Sequence, residues 1–139
     1  MANARTLQEL REEGFVTAEC DRRMGPFLVK DLYGFGDVMG YDPLHLRRPR
    51  LVNGCLADVQ AHIEKYLKGG TKDNGETFPP NPHLKHLMAD GFELYIYSFV
   101  KRGARGKRKL WVCRKWQAVC SPEGVVDFIR LPDGPEGTD

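Results

Sequence analysis

RLVNGCLADVQAHIEKYLKGG, residues 50–70, changes its hydrophobic period partway along. Arg50–Cys55 is a short apolar run and reads as a strand. From Ala57 the apolar residues fall at Val59, Ile63, Tyr66 and Leu67. That is the spacing of one helix face, and Gly69-Gly70 ends it. Downstream, FELYIYSFV (Phe92–Val100) is rich in aromatic and β-branched residues, the composition of a strand. A helix between two strands makes a right-handed crossover the cheapest connection. The fold class is therefore α/β (α+β), with a mixed central sheet.

Upstream, Phe27–Leu32 and Phe35–Tyr41 read as two strands joined by a tight turn at Tyr33-Gly34. Val16–Cys20 is a short extended segment. Ala4–Phe15 is predicted to be a helix with Leu7, Leu10 and Phe15 near one face, and Gly14 suits its stop. Beyond the crossover helix, GGTKDNGETFPPNP (residues 69–82) is polar and rich in Gly and Pro, so a mobile surface loop is expected. His83–Ala89 reads as a short helix. Lys109–Val119 returns against Phe92–Val100 after a turn at Gly103–Gly106, and Val125–Leu131 adds a further strand. The result is an αβββαβ core plus a C-terminal β-hairpin in one domain, residues 1–131. The tail, residues 132–139, is expected to be disordered.

The composition fits that picture. A chain of 139 residues buries one modest core. No apolar stretch is long enough to span a bilayer, so no membrane partner is expected. The first residues lack the apolar region of a secretory leader. The four cysteines (Cys20, Cys55, Cys113, Cys120) are widely spaced, with no CxxC pair. Reduced thiols in a cytoplasmic protein are the expectation, with Cys20, Cys55 and Cys113 packed as small core residues. His83 and His86 read as a surface pair rather than metal ligands. Trp111 and Trp116, five positions apart, must face opposite sides of a strand.

The net charge is only +2, but its distribution is uneven. No acidic residue occurs from Leu94 to Pro122, and Lys101–Lys115 holds eight basic residues. Arg47, Arg48 and Arg50 form a second group. A basic segment in a near-neutral chain is the pattern of a polyanion-binding face. DNA is the expected partner, with Arg47, Arg48, Arg50, Lys101, Arg102, Arg105, Lys107, Arg108 and Lys109 as contacts. The competing reading is a charged hairpin that keeps an edge strand soluble.

The segment PFLVKDLYGFGDVMGY (Pro26–Tyr41) resembles the DLFGF-x-D strand pair of small phage and bacterial proteins of the PD-(D/E)xK nuclease superfamily, similar to Holliday-junction resolvases. RLVNGCLADVQAHIEKY (Arg50–Tyr66) stands where those proteins carry their third strand and following helix. LMADGFELYIY (Leu87–Tyr97) resembles their next strand. The likeness covers about residues 5–100. It implies a restriction-endonuclease-like fold and a phosphodiesterase site built on Mg²⁺.

In that superfamily, carboxylates on the second and third strands hold the metal, which activates a water. A lysine two residues after the third-strand carboxylate faces the same site, because i and i+2 share a strand face. The resemblance puts Asp37 at the second-strand position and Asn53 and Cys55 at the third-strand pair. Asp37 and Asn53 are thus the candidate metal ligands. Lys65, closing the helix, and Lys30, on the strand beside Asp37, are the candidate replacements for the missing lysine. Glu9, Glu12 or Glu13 could add a carboxylate. A site short of one charge and its lysine binds Mg²⁺ weakly or not at all. The expectation is a DNA-binding nuclease relative with an impaired site. The alternative is an inactive nuclease-derived module that binds or inhibits a protein partner. Whether it acts alone or as a homodimer is open at this level.

Overall fold

The computed structural model describes residues 2–20, 22–23, 29–103, 106, 108 and 110–132. In chain order the elements are α1 (Ala2–Glu12), β1 (Val16–Glu19), β2 (Arg22–Arg23), β3 (Val29–Lys30), β4 (Val38–Tyr41), β5 (Arg50–Cys55) and α2 (Val59–Lys68). They continue with β6 (Gly70–Thr71), β7 (Thr77–Phe78), α3 (Leu84–Ala89), β8 (Glu93–Arg102), β9 (Leu110–Cys120) and β10 (Val126–Arg130).

Six strands form one mixed sheet in the order β1-β4-β5-β8-β9-β10. Every pairing is antiparallel except β5 with β8, where Arg50 stands opposite Glu93 and Cys55 opposite Ser98. A parallel pair needs a crossover, and α2, a small ribbon and α3 supply it. Strand alternation splits the core in two. On one face Leu10 and Phe15 from the α1 region pack on Val38, Val52, Tyr95, Tyr97 and Phe99. On the other, Ile63 and Tyr66 of α2 and Leu84 and Leu87 of α3 pack on Phe35, Leu51, Leu94, Ile96, Ala118 and Phe128. Each fully buried large side chain contributes about 1.5–3 kcal/mol of transfer free energy.

The sheet's edge differs from the sequence expectation. The segment around Val29–Lys30 does not join it. It pairs instead with Arg22–Arg23 in a separate ribbon, and β1 takes the edge beside β4. The cause lies at the end of α1. The Phe15 N–H reaches back to the Leu10 carbonyl and the Gly14 N–H to Arg11, with Gly14 at φ +97°, which closes the helix in a Schellman motif. The helix therefore stops at Glu12, short of Phe15. Phe15 is then free to bury itself over Gly40, where a Cβ would lie 2.9 Å from the Phe15 side chain. Val16–Glu19 follows directly and falls alongside Val38–Tyr41.

Residues 69–82 also hold regular structure. Gly70–Thr71 pairs with Thr77–Phe78. Asn74 Oδ1 accepts the Glu76 N–H, Gly75 takes φ +87°, and the Asn81 N–H bonds the Tyr66 carbonyl. Asn-Gly turn chemistry outweighs the segment's polarity. The expected tail lies, from residue 133 onward, outside the described residues.

Candidate functional site

Asp37 sits immediately before β4, and its backbone is held from both sides. Its N–H bonds the Val52 carbonyl and its own carbonyl accepts the Cys20 N–H. Gly36 makes this approach feasible: a Cβ there would lie 2.2 Å from Leu51 Cδ1. The buried Asp37 carboxylate faces β5. Its Oδ2 accepts the Gly54 N–H at 3.0 Å and the Asn53 Nδ2 amide at 3.3 Å. Asn53 spends its other amide hydrogen on the Phe35 carbonyl, at 2.9 Å. Thus the structure brings the two candidate metal ligands together on the face that α2 covers.

Their chemistry is not that of a magnesium site. Mg²⁺ takes hard oxygens in near-octahedral array. Here Asn53 presents N–H, not oxygen, to Asp37, and its buried Oδ1 is left to the Tyr66 hydroxyl. Turning the amide over would set oxygen against carboxylate and abandon the bond to Phe35. One carboxylate, already accepting two hydrogen bonds, is a poor fit to a divalent ion.

Lys65 lies on the exposed flank of α2, its ammonium 5.1 Å from the Tyr66 ring centroid. It borders a cleft of about 490 Å³ lined also by Asp31, Tyr33, Phe78, Asn81 and His83. The Tyr66 hydroxyl is buried, with the Asn53 side chain as its polar neighbour. Burial above all, then the nearby Asp31 and Asp37 charges, pushes its pKa well above the ordinary tyrosine range. Lys30 is described in its backbone as part of β3, and its side chain lies outside the described residues. Glu9 and Glu13 do not approach Asp37. They sit under α1, on the opposite face, where both meet the Lys115 ammonium, at 2.9 and 3.1 Å.

The basic residues divide in the same way. Arg50 is buried, bonded to Glu13 at 2.8 Å, to the Tyr97 hydroxyl at 2.9 Å and to Glu93 at 3.3 Å. Its guanidinium also covers the Phe15 and Tyr95 rings. Burial opposes its charge, but Tyr97, Tyr95 and Glu13 more than offset this. Arg47 bonds the Asp42 carboxylate and the Glu13 carbonyl. These two arginines serve the α1 side of the fold, whereas Arg48 is exposed.

On the hairpin, register decides the side. Lys101 pairs across from Trp111, and the Arg5 guanidinium of α1 lies 3.9 Å from the Trp111 centroid. Lys101 is therefore on the α1 face, opposite Asp37. Arg102, Arg114 and Arg130 alternate onto the face of Asn53 and Cys55. Trp116 packs there too, so the tryptophans face opposite sides. Arg108 is exposed. Arg105, Lys107 and Lys109 lie outside the described residues.

Cys55, Asp58 and His62 converge at the start of α2. A spacing of Cys-x₂-Asp-x₃-His across a strand-to-helix junction is the sequence signal for that grouping. The His83 ring instead lies tilted against Tyr33, with centroids 5.6 Å apart. Comparison with known proteins finds no matching family model, no matching curated protein and no matching solved structure.

Proposed function

We propose that this chain is a nuclease-derived module that binds DNA through exposed arginines of the hairpin strands on the Asp37 side of the sheet, with phosphodiester hydrolysis weak or lost. Its main-sheet order supports that ancestry: a helix, three antiparallel strands, a crossover helix and a parallel strand, as in the PD-(D/E)xK core. The observation that carries the reading is the Asn53 amide, which donates into Asp37 where a catalytic site would set a second oxygen ligand. Arg102, Arg114 and Arg130 supply positive charge on the same face, while Lys101 belongs to the other.

Fluorescence anisotropy with duplex and branched DNA across a salt series tests this. Each lost phosphate contact lowers the log–log salt slope by about 0.9. Arg102→Ala with Arg130→Ala should weaken binding and flatten the slope. Lys101→Ala should leave the slope as it is. In the same samples, added Mg²⁺ or Mn²⁺ should give slow cleavage or none. An unaltered slope in the double variant retires the assigned face, and brisk cleavage abolished by Asp37→Ala retires the impairment.

A further inference from the structure

The loop between β5 and α2 gathers three side chains that the Asp37 site does not use. Cys55 ends β5, Asp58 stands at the N-cap position of α2, and His62 lies one turn further on the same helix face. One ligand atom from each lies within 4.8 Å of the other two. Asp58 occupies the capping position, yet its side chain caps nothing. It turns instead toward His62, Oδ2 to Nε2 at 3.1 Å. The other ring nitrogen, His62 Nδ1, is buried without a hydrogen-bond partner. A buried polar atom left in this state is costly unless something meets it.

We propose that Cys55, Asp58 and His62 bind Zn²⁺ or a similar borderline divalent cation, with the fourth coordination position open to solvent. The donor set is sulfur, imidazole nitrogen and one carboxylate oxygen, the set zinc accepts and magnesium does not. Three protein ligands with a free position are the pattern of an open rather than a closed structural site. Access is present: Asp58 is 63% exposed and the three residues line an open depression with Gly54, Leu56 and Ala57. The loop is also held in place, because the Ser98 hydroxyl donates to the Leu56 carbonyl at 2.6 Å. On binding, the Cys55 thiol releases its proton to solvent and the thiolate sulfur takes the metal. Without a cation the thiol stays protonated, since burial first, and then Asp58 and Asp37, push its pKa up to about 12. Those same negative neighbours favour a dication at this point.

Co²⁺ is the probe. Titrated into the full chain, it should give a near-ultraviolet thiolate-to-cobalt charge-transfer band and visible bands of four-coordinate intensity, both displaced by Zn²⁺ and not by Mg²⁺. Cys55→Ser should abolish the charge-transfer band. His62→Ala and Asp58→Ala should each weaken Co²⁺ binding by more than the roughly 10–100-fold that loss of an outer-sphere partner costs. Those two side chains are partly exposed, so their variants report even if Cys55→Ser fails to fold. Absence of the band in folded wild type overturns the site. So does a band that survives Cys55→Ser, or Co²⁺ affinity unchanged in both helix variants, either of which places the metal on other ligands.

Discussion

At the scale of single residues, Asn53 decides more than any other side chain. Its two amide hydrogens are spent on Phe35 and Asp37, and that hydrogen bonding makes the pair stable without metal. Asn53→Asp reverses the chemistry. It sets a carboxylate against a carboxylate and leaves the Phe35 carbonyl without its donor. In metal-free buffer at pH 7 the variant should lose roughly 1–3 kcal/mol, the scale of a buried group left unsatisfied. Mg²⁺ should recover part of that loss, because two adjacent carboxylates are what it binds. Thermal melts with and without Mg²⁺ check this, and a wild type equally stabilised by Mg²⁺ contradicts it. Asp42 gives a second test. The His45 N–H foremost, then Arg47 and the Leu44 N–H, hold its carboxyl below the usual carboxylate range. Its contribution is therefore complete above the ordinary carboxylate pKa and fades as pH falls toward the lower folded value. Asp42→Asn should lower the melting temperature at pH 7, and the gap to wild type should close in acid.

At the scale of elements, what the sequence made legible follows from periodicity. The strand at 50–55, the helix after it and the strand at 92–100 carry strong patterns, and each appears within a few residues of its reading. The order of the sheet's edge was not legible, because Phe27–Leu32 reads as a strand while Val16–Cys20 reads only as a short extended segment. Only Phe15 seated on Gly40 chooses between them, and that contact is long-range. The ribbon in residues 69–82 was hidden by polarity, although Asn74-Gly75 is turn chemistry. The placement of Arg50 and Lys101 was hidden for another reason: a basic residue looks the same in sequence whether it meets a phosphate or a buried glutamate. Gly36 shows the converse, a glycine whose need is purely steric. Gly36→Ala drives a methyl into Leu51 and should destabilise by about 1–3 kcal/mol through overpacking. It should also loosen Asp37. Denaturant melts report the first effect, and faster amide exchange at Gly54, the donor to Asp37, reports the second. A neutral Gly36→Ala would show that Leu51 has room to retreat.

At the scale of the whole molecule, the sheet separates two charge systems. On one face, α1 is fastened by a network of Glu9, Glu13, Lys115, Arg50 and Glu93, closed over by Phe15 and Tyr97. On the other lie Asp37, Asn53, Cys55, Asp58 and His62, with positive charge arriving from the hairpin. Arg50 is the test of that division, because as a DNA contact it would act on binding and as a fastener it acts on folding. Its side chain is 9% exposed, and its guanidinium is shared among two glutamates, a tyrosine hydroxyl and two aromatic rings. Removing one partner of a buried charge network leaves the others uncompensated, at a cost of about 3–5 kcal/mol. Because Glu13 and Glu93 keep some contact with water, Arg50→Ala should fall near the lower end of that range. Arg50→Met, which fills the volume but not the charge, should recover only the packing share. Urea unfolding should register both losses. DNA affinity per folded molecule, measured below the unfolding transition, should match wild type. A variant that folds as stably as wild type but binds DNA with a shallower salt slope would move Arg50 to the proposed DNA-binding side and undo the division.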